Sequence, residues 1–124
     1  MITELTFNEI FVFGSNEAGV HGAGAALQAY RDFGAKRGVG NGPTGQCYAI
    51  PTKDHNIRTL PLSKIEVYVN QFLKYAREHK ELLFLLTPIG CGLAGYTPEV
   101  IAYMFKDSPS NVVLPKEFTD VFNK

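Results

Sequence analysis

Twice in this chain a short apolar run breaks into a glycine-rich loop and then into a segment of helical character. The first instance is residues 10–27, IFVFGSNEAGVHGAGAAL, where the apolar run 10–13 ends at Gly14 and passes through Ser15, Asn16 and spaced glycines into an Ala-rich segment. The second is residues 82–96, LLFLLTPIGCGLAGY, with a new helical segment from about Thr97. Seven of the 12 glycines, Gly14, Gly19, Gly22, Gly24, Gly90, Gly92 and Gly95, sit in these two loops. Glycine admits left-handed backbone angles and lets main-chain N–H groups approach a ligand with no Cβ in the way. Backed by the unpaired amides of a helix start, such loops suit a phosphate or another anion. Two loops of this design point to one shared ligand. The alternative is that the glycines only make tight turns where helices cross strands closely.

The remaining bounds are broad. A chain of 124 residues holds one core, so a single domain over 1–124 is expected. Hydrophobic residues at 45% and charged residues at 19% are globular values, and 12 Lys+Arg against 12 Asp+Glu leave a formal net charge of zero. There is therefore no charge bias toward nucleic acid or an acidic membrane. No apolar run approaches the roughly 20 residues that span a bilayer. The first residues, MITELTFNE, have neither a basic head nor an apolar signal core, so a cytoplasmic location is expected. Cys47 and Cys91 show no CxxC or Cys/His spacing, and His21, His55 and His79 are scattered. Free thiols, no metal and no cofactor are the expectation.

Along the chain, residues 1–8 alternate weakly (Ile2, Leu5, Phe7) and are a candidate edge strand, followed by a central strand at 10–13. Ala23, Ala26, Leu27, Tyr30 and Phe33 fall at helical spacing, with an end near Gly34. Residues 36–45, KRGVGNGPTG, read as a mobile loop, and 46–50 as a second strand stopped by Pro51. Ser63 and Glu66 have capping-box spacing before the periodic run Ile65, Tyr68, Val69, Phe72, Leu73, Ala76, which predicts a helix over 63–79. A third strand at 82–87, a helix from Thr97-Pro98-Glu99 to about Lys106, a strand at 111–114 and a helix at 115–122 complete the order. Strands alternating with helices predict an α/β fold: a three-layer α/β/α arrangement with a mostly parallel sheet.

Literal nucleotide motifs fit poorly. GxGxxG at 40–45 precedes a strand and contains Pro43 where a helix would begin. GxGxxG at 90–95 follows a strand, but its helix waits until Thr97 and no acid ends the next strand, as a dinucleotide fingerprint requires. No GxxxxGK[ST] is present.

Phe13-Gly14-Ser15-Asn16 with Gly19-Val20-His21-Gly22-Ala23-Gly24, and Ile89-Gly90-Cys91-Gly92-Leu93-Ala94-Gly95-Tyr96, are similar to the two ligand loops of the macro domain, the ADP-ribose-binding α/β family. Residues 45–52, GQCYAIPT, resemble the strand between them, so the resemblance covers roughly 10–106. It implies a macro domain-like fold and a small ADP-ribose-like ligand, with no nucleic-acid or membrane partner. The loop amides would hold a diphosphate, Asn16 the distal ribose, and Tyr96 would stack at the ribose end or else pack on the core. The implied binding set is Gly14, Ser15, Asn16, Gly22, Ala23, Gly24, Ala25, Pro51, Thr52, Gly90, Cys91, Gly92, Leu93, Ala94, Gly95 and Tyr96. The few residues before Ile10 leave out the strands that carry the family's adenine-selecting acid, and Ala25-Ala26-Leu27 replaces the acid found after the glycine loop in hydrolytic members.

Candidate chemistry rests on His21 inside the first loop, as a general base or acid, together with Asn16 and Asp54, the last paired with His55. The plain readings are a polar loop residue for His21 and a solvated turn for Asp54. Cys91 between two glycines is a weak candidate nucleophile. Three functional classes stay open: a hydrolase of an ADP-ribosyl or ADP-ribose phosphate ester, a non-catalytic nucleotide-recognition module, and an α/β domain without a nucleotide ligand.

Overall fold

The computed structural model describes residues 2–123, and among these the chain is α/β, with five strands in one mostly parallel sheet and four α-helices. The strands are β1 (Glu9–Asn16), β2 (Gly42–Thr44), β3 (Cys47–Lys53), β4 (Leu83–Leu86) and β5 (Val112–Val113), in the order β2-β3-β1-β4-β5. β1 runs parallel to both β3 and β4, β4 parallel to β5, and only β2 is antiparallel. The helices are α1 (Gly24–Asp32), α2 (Leu62–Glu78), α3 (Pro98–Ile101), continued by a 3-10 turn at Ala102–Phe105, and α4 (Lys116–Phe122).

β1 is central because its apolar run is continuous: Phe11, Val12 and Phe13 are fully buried, which a strand allows only when both faces are covered. Its side chains divide by parity. Phe11 and Phe13, with Cys47 and Ala49 of β3, join a cluster with Ala29 and Phe33 from α1 and the residues after it. Val12, with Tyr48 and Ile50, joins a larger cluster with Ile65, Val69, Phe72, Leu73 and Ala76 of α2, Ile101, Phe105 and Phe118. The spacing of those α2 residues is the helical stripe expected from the sequence. Tyr48 sits 5.0 Å from Phe72 and 5.1 Å from Tyr75 between ring centroids, locking α2 onto β3.

Several expectations are corrected. Residues 2–8 form no strand, and Met1 lies outside the described residues. Instead the Thr6 amide donates to the Glu9 carboxylate at 2.8 Å and the Glu9 amide to the Thr6 carbonyl at 3.1 Å, a local turn that competes with pairing and leaves Phe7 95% exposed. The loop 36–45 is not free. Gly45, at φ +56°, opens a two-residue hairpin that folds β2 back on β3, while the Gly38 amide donates to the Gly19 carbonyl at 2.9 Å. β3 does not stop at Pro51 but continues to Lys53, with Pro51 opposite Ser15 and beyond the last β2 partner, where no ladder bond needs its missing N–H. α2 begins without the capping box: Pro61 holds the cap position and no side chain bonds there.

Candidate functional site

Because β1, β3 and β4 are parallel neighbours, the segments that follow them leave the same end of the sheet, where open α/β sheets bind ligands. A cleft of about 460 Å³ opens there. Both glycine loops line it, together with Thr52 and Lys53 at the end of β3 and Thr87 at the end of β4. The loops are in contact at their roots: a Cβ built on Gly14 would lie 3.7 Å from the Gly90 amide nitrogen and 3.6 Å from the Thr52 hydroxyl.

The cleft's main feature is unpaired main chain. α1 begins at Gly24 with no side-chain cap and no acid in its first turn. The amides of Gly22, Ala23, Gly24, Ala25 and Ala26 make no hydrogen bond among the described residues, and the first bonded one is Leu27, to Ala23 at 3.2 Å. In the second loop the Cys91, Gly95 and Tyr96 amides close turns onto Pro88, Gly92 and Gly90, and those of Gly90, Gly92, Leu93 and Ala94 make no hydrogen bond among the described residues. Two sets of free donors, one at a helix N-terminus, belong to residues of a cleft whose lining includes no Asp, Glu or His among the described residues.

Of the residues anticipated from the sequence, Gly14, Ser15, Asn16, Gly22, Ala23, Gly24 and Ala25 line the cleft from the first loop, and Gly90, Cys91, Gly92, Leu93 and Ala94 from the second, with Thr52 between. Three others lie outside the lining. Pro51 is buried within β3, Gly95 turns the second loop at φ +89°, and the Tyr96 hydroxyl donates to the Leu60 carbonyl at 2.7 Å, bracing that loop.

The three residues anticipated for catalysis also fall differently. Asn16 lines the cleft, but its carboxamide clasps Val20: Nδ2 donates to the Val20 carbonyl at 2.8 Å and Oδ1 accepts from the Val20 amide at 3.0 Å. His21 lies outside the lining, edge-on to Phe13 at 5.5 Å, with Nε2 donating to the Lys36 carbonyl at 2.9 Å and Nδ1 buried with no hydrogen-bond partner among the described residues. Asp54 is half-buried and outside the lining. Its Oδ1 accepts from the Asn56 and Arg58 amides at 2.8 and 3.0 Å, and the bond from Arg58 is the main reason its carboxyl titrates below the ordinary range. His55 approaches Glu17 at 3.7 Å rather than pairing with Asp54 in the cleft.

Cys91 lines the cleft as a thiol. Burial, followed by the charges of Glu117 and Glu99, pushes its pKa up to about 11, the opposite of what a nucleophile needs. Cys47 is also free, and burial lifts it to about 12. Among the described residues no group of His, Cys, Asp and Glu could hold a metal ion, and no helix is long and apolar enough to cross a membrane.

The sequence reading missed Lys53, Val20 and Ile57, which line the cleft, and Glu17, which accepts a hydrogen bond from the Tyr68 hydroxyl and so ties the segment after β1 to α2. Lys53 follows Thr52 at a strand end and was within reach of pattern reasoning. Ile57 owes its place to a turn that no periodicity marks. A second concavity, of about 580 Å³, opens beside β4 and β5 near Leu85 and Val113, and neither glycine loop reaches it. Comparison with protein-family models, curated proteins and solved structures gives no match.

Proposed function

We propose that this chain is a macro-like three-layer domain that binds ADP-ribose or a related phosphorylated ribonucleoside as a recognition module, without turning it over. One observation carries the reading: two sets of unbonded amides, 22–26 and 92–94, line one cleft at the carboxyl ends of adjacent parallel strands. Amides so arranged suit a diphosphate, whose charge the N-terminus of α1 also favours. The two core clusters on alternate side chains of β1 support the layered arrangement. Recognition is favoured over hydrolysis because the lining holds no carboxylate or imidazole to move a proton, and its one thiol stays protonated at neutral pH.

The test is a thermal-shift and calorimetric comparison of ADP-ribose, its 1″-phosphate, NAD and AMP, with the ligand recovered afterwards. A ligand at 100 times its Kd adds about 2.7 kcal/mol of stability, a readily visible shift. ADP-ribose should bind and return intact. Absence of any shift with all four compounds overturns the nucleotide reading, and steady release of phosphate or ribose overturns the non-catalytic one.

A further inference from the structure

Recognising a nucleobase by its edge takes a fixed pattern of donors and acceptors; the free amides of this cleft are donors only and go to the diphosphate in the reading above, and its side chains offer little more. The Ser15 hydroxyl donates to the Gly40 carbonyl, the Thr52 hydroxyl to Ser15 at 3.4 Å and the Thr87 hydroxyl to Val12 at 2.7 Å. The Asn16 carboxamide is fastened at both ends to Val20, and the Cys91 thiol points at the Ile89 carbonyl, 3.5 Å away. Every polar side chain in the lining thus already bonds the protein's own main chain, except Lys53. Lys53 is the one charged residue there and forms no ion pair among the described residues. An ammonium has three donors and no acceptor, so it answers to negative charge and not to a donor–acceptor pattern.

What remains for the rest of a ligand is apolar. Val20, Ile57 and Leu93 come from three separate loops, line the cleft and stay 49%, 46% and 74% exposed. Ile57 is held in the left-handed region at φ +62°, a conformation a β-branched residue avoids, by the turn that Asp54 organises through the Asn56 and Arg58 amides. The turn thereby fixes an aliphatic side chain at the cleft mouth. Aliphatic contact serves the flat face of any base, since every base has one. Apolar pockets separate related ligands only about 10- to 200-fold, whereas buried hydrogen-bonding sites separate them by roughly 10⁴ or more.

Resting on the nucleotide reading above, we infer that the cleft selects its ligand by the diphosphate and is indifferent to the base: Lys53 and the loop amides hold the charge, and Val20, Ile57 and Leu93 cover whichever ring is attached. The ligand class is nucleoside diphosphate ribose of any base.

Calorimetry with ADP-ribose, GDP-ribose, CDP-ribose and UDP-ribose tests this. The four dissociation constants should fall within tenfold of one another. A wider spread in favour of one base overturns base indifference while leaving nucleotide binding intact, and failure of all four to bind overturns both. Lys53→Met should weaken all four by a common factor of about ten and flatten their dependence on salt. Ile57→Gly suits the left-handed backbone, so it should fold as well as the parent while weakening all four alike. Losses that differ between bases by more than tenfold in either variant also overturn the inference.

Discussion

What one methyl group would meet separates two glycines of this chain. A Cβ on Gly40 would lie 1.9 Å from the Asn16 carbonyl oxygen and 3.0 Å from the Gly19 amide nitrogen, both main-chain atoms that cannot step aside. Gly40→Ala should therefore cost about 1–3 kcal/mol or more of stability, read as a fall in the urea midpoint. A Cβ on Gly92 would meet nothing within 4 Å, and its backbone is not left-handed. Gly92→Val should melt within a degree or two of the parent yet lose ADP-ribose affinity, because the branched side chain stands where the free amides face the cleft. A large drop in its melting temperature would assign Gly92 to turn formation instead. The cysteines make a second prediction at this scale. With its thiol lifted to about 11, Cys91 should alkylate slowly at pH 7, its rate rising nearly tenfold per pH unit beyond pH 9; a rate that levels off below pH 9 would contradict the burial argument.

Among the elements, those whose stability is written in side-chain period were legible. The α2 stripe Ile65, Val69, Phe72, Leu73, Ala76 and the uniform burial of Phe11 to Phe13 follow from burial alone, and both stand in the structure as the pattern implied. Misread elements depend on main-chain bonds to distant residues, which leave no periodic trace. β2 arises inside a Gly/Pro-rich stretch because Gly45 can turn the chain while Ser15, Gly19 and Thr44 fasten it. β3 passes through Pro51 because its neighbour on one side has already ended. Helix capping shows the same limit: Ser63 and Glu66 have capping-box spacing, but Ser63 lies one residue inside α2, which starts at Leu62 behind Pro61. Hence Ser63→Ala should cost nothing, or add up to about 0.5 kcal/mol through helix propensity, where loss of a true cap would cost about 1 kcal/mol. Chemical denaturation of this one variant decides between them.

For the molecule as a whole, most of the cleft lining was legible because glycine loops after apolar runs are a main-chain device, and parallel strands bring their ends together without help from side chains. The anticipated chemistry was less so. His21, Asp54 and Tyr96 carry polar groups that the fold uses to secure its own loops, a role indistinguishable in sequence from a catalytic one. Burial of ionisable groups also sets how the fold answers to alkali. The folded state holds the Cys47 and Cys91 protons to about 12 and 11, against an ordinary value of 9.0, so their contribution is fully present below pH 9 and is lost as pH rises through 11 to 12. The unfolding free energy from urea titrations should fall between pH 9 and 10.5, by about 1 kcal/mol per pH unit for the buried Cys47, and that of Cys47→Ala should fall less steeply. The sheet's two borders carry a different consequence. One is Gly42–Thr44, three residues with an imino acid at its centre, and the other is Val112–Val113, two residues ahead of Pro115. A visiting strand at either border would find too few main-chain partners to anneal, so among the described residues the sheet's ends offer crowded molecules little template along which to stack into fibres.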